Sequence, residues 1–218
     1  VIISALAAFV FFGGMGRIAA FTEKVVPIMA ALYLLGGLIV LLANASHIIP
    51  ALKMVFVGAF DPAAATGGII GAGVKEAMRY GVARGLFSNE AGMGSTPHAH
   101  AMAKVEKPQD QGVVAMVCVF IDTFVVLTIT ALVMITSGAL NVGDMAANPA
   151  AENMAQVAFS TVFGSFGNFY VAICLLFFAF STILSWNLFA KLNVEWLFGK
   201  KAVLPFTILS LLHISEPT

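Results

Sequence analysis

Arg84-Gly85-Leu86-Phe87-Ser88-Asn89-Glu90-Ala91-Gly92-Met93-Gly94-Ser95-Thr96-Pro97-His98-Ala99-His100-Ala101 is a polar, charged, glycine-rich run inside a strongly apolar chain. Of the 218 residues, 60% are hydrophobic and only 10% are charged, and mean hydropathy is +0.98. Soluble domains carry about 25% charged residues, so the chain reads as an all-α integral membrane protein. Within hydrocarbon every backbone N–H and C=O needs an internal partner. Irregular backbone at that depth is tolerated only where it is buried in protein or lines a cavity. A helix broken in that setting is where transporters bind small solutes and ions. A tight kink between helices with no ligand is the alternative.

Outward from this run, the apolar segments set the span pattern. Val25–Ala45 carries no charge and is close to the roughly 20 residues that a bilayer core requires. Gly112–Gly138, with Asp122 as its one charge, and Asn168–Ala190 are further full spans. Val1–Phe12 reads as the remainder of one span and Val203–Leu212 as the beginning of another. Ala51–Phe60 is too short to cross and is followed by Asp61-Pro62, so it reads as an interfacial helix. Ala139–Gly167 reads as a loop with a short helix near Glu152–Phe163. Gly68–Leu86 is helix-like but carries Lys75, Glu76, Arg79 and Arg84. Neither end resembles a signal peptide.

Basic residues orient such a chain. The connections Gly13–Lys24, Lys104–Gln111 and Lys191–Lys201 hold Arg17, Lys24, Lys104, Lys107, Lys191, Lys200 and Lys201, seven of the eleven Lys and Arg. These connections fall on one side only if Gly68–Ala103 crosses once, which makes the glycine-punctuated run the interruption of a single span. A formal net charge of zero gives no electrostatic case for nucleic acid. Cys118 and Cys174 lie in apolar runs without paired spacing and read as small hydrophobes. Gly71-x-Gly73 lacks its third glycine, with Glu76 in that place, and no strand precedes it, so it is no nucleotide fingerprint. His98 and His100 stand at i, i+2, on different helix faces, which argues against metal chelation. Gly67/Gly71 and Gly81/Gly85 have the small-xxx-small spacing of close helix packing.

The run Tyr80-Gly81-Val82-Ala83-Arg84-Gly85-Leu86-Phe87-Ser88-Asn89-Glu90-Ala91-Gly92-Met93-Gly94-Ser95, with Pro97 and His100, resembles the alanine/glycine:cation symporter family, the sodium:alanine symporters. The likeness continues in Gln111-Gly112, Val119-Phe120-Ile121-Asp122-Thr123 and Thr128-x-Thr130-Ala131-Leu132. Upstream it takes in Gly16-Arg17-Ile18-Ala19 and Val26-Pro27-x-Met29-Ala30; downstream, Leu176-Phe177-Phe178-Ala179-Phe180-Ser181-Thr182-Ile183-Leu184 and Trp186. It covers Gly13–Gly199, and Phe206–Thr218 falls outside it. The resemblance implies a leucine-transporter-type fold of two inverted five-helix repeats. It makes the 218 residues one fragment of a single transmembrane domain, from the family's helix four to the start of helix nine, incomplete at both ends. Val25–Ala45 is then helix five, Gly68–Ala103 the broken helix six, Gly112–Gly138 helix seven and Asn168–Ala190 helix eight. Helix one, absent here, supplies part of both the substrate and sodium sites in that fold.

Against this frame each candidate residue has two readings. In the broken segment, Phe87, Ser88 and Asn89 are the candidate substrate contacts. There, half-helix ends present partial charges to a zwitterionic amino acid and to sodium, and Gly92 and Gly94 permit the required dihedrals. Glu90 and Arg84 are intramembrane charges, expensive and normally interior. Arg84 reads as half of a structural ion pair, with Glu90 able to shape an ion site or sense protons. Asp122 and Thr123 lie roughly 15 Å along helix seven, suited either to a hard cation or to a hydrogen bond with helix six. On helix eight, Ser181/Ser185 and Thr182/Trp186 share faces at i, i+4. Ser181 is a candidate sodium ligand, and Thr182 with Trp186 a candidate pocket wall; ordinary membrane-helix packing is the alternative.

The sequence thus favours a multi-pass cell-membrane carrier that brings in a small neutral amino acid, alanine or glycine, with sodium as coupling ion and no other cofactor or metal. An ion channel should show a continuous polar stripe, and Val25–Ala45 has none. An intramembrane enzyme needs a nucleophile–base pair or metal cluster, and Ser88/Glu90 and the two histidines lack the spacing.

Overall fold

The computed structural model describes residues 2–60, 70–88, 93–139 and 153–215. Among these every regular element is helical. They are α1 (Ile2–Phe11), α2 (Gly14–Ala43), α3 (Ile48–Phe60), α4 (Ile70–Ser88), α5 (Thr96–His100), α6 (Pro108–Thr136), α7 (Met154–Phe163), α8 (Ser165–Phe198) and α9 (Val203–Ser215). Among the described residues three helices are long and apolar enough to cross a membrane: α2 over Gly16–Ala43, α6 and α8. These are the expected full spans, each longer than the sequence indicates. The 13-residue α3 reaches only about 20 Å at 1.5 Å per residue, in keeping with an interfacial element.

Two expected loops are helix instead. Arg17 and Lys24 lie within α2, and Lys191 lies within α8. Charge at the end of an apolar run marks the interface, not the end of the helix, because Lys, Arg and Glu are good helix formers. The real breaks occur at glycines with positive φ, Gly14 at 73° between α1 and α2 and Gly199 at 79° between α8 and α9. Glycine adopts that conformation without steric cost. Of the expected short helix at Glu152–Phe163, Met154–Phe163 forms as α7.

The chain forms two compact units, one of residues up to Tyr33 with those from Ala172 onward, the other Leu34–Val171. In the first, Ala7, Val10 and Phe11 of α1 pack with Ile18 of α2 and Phe180 and Leu184 of α8. The carbonyls at the end of α1 have no intrahelical donors. Arg17 supplies one, its guanidinium donating to the Phe9 carbonyl at 2.8 Å while lying 4.8 Å from the Phe9 ring centroid. Lys191 supplies another through its bond to the Phe11 carbonyl at 3.3 Å.

In the second unit, glycines bring helices into contact. A side chain at Gly36 would collide with the Tyr170 ring, and one at Gly37 with Ile129 of α6. Tyr170 in turn stacks on Phe159 and Phe163 of α7, centroids 5.8 and 5.6 Å away. Gly167 lies against backbone: a Cβ there would stand 2.6 Å from the Ser160 nitrogen. Backbone cannot swing aside as a long side chain can. Gly167→Ala in the full-length carrier should therefore destabilise by about 1–3 kcal/mol, the usual cost of overpacking. Gly112→Ala, with nothing within 4 Å, should be neutral. Thermal unfolding of the two purified variants checks the contrast; equal melting temperatures refute it.

Candidate substrate and ion site

Helix α4 is described as far as Ser88. Asn89 and Glu90 lie outside the described residues, as does any pairing of Glu90 with Arg84. Beyond them Met93 and Gly94 form a turn, with Gly94 at φ 75°, and helix resumes only for the five residues of α5. Of the expected break near Asn89–Gly94, Met93 and Gly94 are non-helical, and residues 89–92 lie outside the described residues.

Ser88 ties α4 to α6. The Ser88 hydroxyl donates to Asp122 Oδ2 at 2.7 Å across 34 residues of sequence, and the contact is part-buried. Asp122 therefore points to the broken segment, as expected of a charge whose exposure to lipid at mid-depth costs roughly 2.5–3.5 kcal/mol on insertion scales. It lies at the start of a feature that sequence reasoning missed: Ile121–Leu127 is π-helical. Such i→i+5 turns are rare, occur within α-helices and cluster at functional sites. Asp122 and Thr123 both belong to it. The Phe120 and Phe124 rings stack at 5.0 Å along the same face. Nothing in the composition of Ile-Asp-Thr-Phe-Val-Val-Leu announces the wide turn; the only available signal was an aspartate inside an apolar span.

The histidines take separate partners. His98 Nδ1 lies 3.0 Å from the Ser95 carbonyl, and Gln111 Nε2 donates to His100 Nδ1 at 2.6 Å. That second bond ties α5 to the start of α6. Beside it, between α5 and α6, lies a hollow of about 1000 Å³ whose walls include Thr96, His100, Met116 and Phe124. Phe87 is exposed on α4.

The remaining site residues belong to the other unit, on α8. Ser181 is buried, and its hydroxyl donates to the Phe178 carbonyl at 2.9 Å with the Met29 sulfur 3.9 Å away. The Thr182 hydroxyl bonds to the same carbonyl at 2.9 Å, and Ser185 bonds to the Ser181 carbonyl at 3.0 Å. Hydroxyls bonded back to the preceding turn are a common resting arrangement in membrane helices. Trp186 is half-buried and meets Phe189 edge to face at 5.9 Å.

The sequence profile of the Sodium:alanine symporter family matches residues 1–215, and the chain belongs to that family. The match corrects the narrower sequence-based extent, because α1 and most of Phe206–Thr218 fall within it. The chain is 39% identical over 214 residues to the uncharacterized transporter YflA of Bacillus subtilis (strain 168), covering 97% of this chain and 45% of the relative. It is 38% identical to the sodium/alanine symporter AgcS of Methanococcus maripaludis, covering 93% and 43%. Its identity to the sodium/proton-dependent alanine carrier protein of Bacillus sp. (strain PS3) is 35%, covering 90% and 46%. The chain thus spans less than half the length of these relatives. The family is one of membrane transporters, not enzymes.

If Ser88 and Asp122 act as a pair, their substitutions are not additive. Ser88→Ala and Asp122→Asn, alone and together in the full-length carrier, should give a coupling of about 0.5–3 kcal/mol in thermal stability. Additive effects would mean that the two side chains do not meet in the folded protein.

Proposed function

We propose that this chain is part of a cell-membrane secondary transporter that carries alanine or glycine inward with sodium. The observation that supports this most is the hydrogen bond between Ser88 of α4 and Asp122 in the π-helical turn. A carboxylate, a hydroxyl and the carbonyls of irregular backbone are hard oxygen donors of the kind that bind hard cations. A sodium ion arriving there would draw the Ser88 and Asp122 oxygens onto itself, so the contact that holds α4 changes partner with ion occupancy. That is a physical basis for coupling, since an ion shifts a conformational equilibrium only by as much as it prefers one state. Thr123 and Glu90 are the neighbouring candidates for the same role.

On α8, Ser181 is the candidate for a second sodium contact. Its hydroxyl, now spent on Phe178, keeps an acceptor lone pair for a cation. Thr182 and Trp186 are read as substrate contacts, the hydroxyl for a polar end of the amino acid and the indole as a limit on side-chain size. In the other unit, Phe87, Ser88 and Asn89 are read as candidate substrate contacts, the end of a broken helix being suited to a zwitterion.

The full-length protein should take up alanine saturably and only with sodium; flux that is linear in concentration and indifferent to sodium would refute the carrier reading. Asp122→Asn should raise the half-saturating sodium concentration about tenfold, equivalent to roughly 1.4 kcal/mol of lost ion binding. An unchanged sodium titration removes Asp122 from the ion site. Trp186→Ala should let leucine compete with labelled alanine roughly tenfold better, the scale on which a pocket wall discriminates one methylene. An unchanged competition profile in a well-expressed variant would show that Trp186 does not wall the pocket.

A further inference from the structure

The long helix α8 has no strong hydrophobic asymmetry, its apolar residues being spread around the axis. In a bilayer that matters, because lipid tails are as apolar as leucine and do not tell one apolar face from another. The rotation of α8 about its own axis must therefore be set by something more specific. Phe180, Leu184, Asn187 and Lys191 are all buried, and their spacing of four, three and four residues forms one stripe. Half of this stripe is polar. Asn187 Nδ2 donates to Ser210 Oγ of α9 at 2.8 Å. Lys191 Nζ donates to the Phe11 carbonyl at the end of α1 and stands 4.8 Å from the Phe11 ring centroid.

Thr182 and Trp186 lie two residues beyond Phe180 and Leu184, about 200° around the helix. Thr182 is exposed and Trp186 half-buried. The stripe with the tethers and the face with the candidate substrate contacts are thus on opposite sides of one helix. Asn187 is also held at a cost. Its Oδ1 is buried with no hydrogen-bond partner among the described residues, and an unpaired buried acceptor lowers stability. A leucine of similar size would avoid that cost and forgo the bond to Ser210, so net stability gives little reason for an asparagine here.

We propose that Asn187 and Lys191 are positioning residues. Through Ser210 and the Phe11 carbonyl they fix the rotation of α8, and with it the aim of Thr182 and Trp186. The inference rests on the substrate role proposed for those two residues, and its test separates the two ideas.

In the full-length carrier, with Cys118→Ser and Cys174→Ser, a cysteine at Thr182→Cys or Ile183→Cys is labelled with a maleimide. Asn187→Leu should leave yield and melting temperature equal or raised. It should slow labelling at 182 several-fold, speed it at 183, and, in the carrier without the added cysteine, improve competition of alanine uptake by leucine roughly tenfold, as a misaimed pocket wall would. Ser210→Ala removes the same hydrogen bond from α9 and should act alike, which covers the case in which Asn187→Leu does not fold. Ser210→Thr, which keeps the hydroxyl, should restore the parental pattern. If neither Asn187→Leu nor Ser210→Ala alters labelling or selectivity, the rotation is set elsewhere and the inference is overturned, even where Trp186→Ala broadens selectivity. If labelling moves but neither these variants nor Trp186→Ala changes selectivity, the tethers orient α8 and the pocket assignment fails.

Discussion

A bilayer offers no water to a polar group, and the rest of this structure depends on that constraint. A donor or acceptor at depth is costly unless it finds a partner within the chain. Thr22, Thr130, Thr136 and Thr207 return their hydroxyls to carbonyls one turn back. The carbonyls at the end of α1 are met by Arg17 and Lys191, each of which also lies against a phenylalanine ring. A cation near a helix C-terminus is favoured by the helix dipole, and the ring partly replaces the water that the charge gives up.

Because lipid and protein interior are equally apolar, hydrophobic burial does little to decide which helix faces touch. Shape and polar bonds decide it. Gly36, Gly37 and Gly167 have no side chain where Tyr170, Ile129 and the backbone at Ser160 approach, and close approach recovers dispersion energy that lipid would otherwise supply. Polar bonds then select among the remaining arrangements. Gln111 with His100 joins α6 to α5, Ser88 with Asp122 joins α6 to α4, and Asn187 with Ser210 joins α8 to α9.

Of these bonds, Ser88 with Asp122 differs in kind. The others link α-helical residues, whereas this one joins α4 to a π-helical turn. The hydroxyls of Ser181 and Thr182, by contrast, are held by their own helix and stay in place without outside support.

The sequence by itself determined the class of the protein, its long spans and the place of the interruption, because these depend on hydropathy and on glycine, properties carried by single residues or short windows. The likeness at Tyr80–Ser95 also identified the family. Connections were read less well. Arg17, Lys24 and Lys191 looked like loop residues because charge marks the membrane interface, yet helices run through them until Gly14 or Gly199 turns the chain. Only the tertiary structure decided which oxygens meet. Ser88 and Asp122 are 34 residues apart, and no local pattern encodes their distance. The π-helical turn at Ile121–Leu127 was equally hidden, since its residues have ordinary α-helical preferences and a wide turn depends on what neighbouring helices demand. Asn187 and Lys191 offered a faint signal, two polar residues at i, i+4 in an apolar helix. Their partners Ser210 and Phe11 lie 23 and 180 residues away, and a helix with no apolar face of its own takes its orientation from such distant partners.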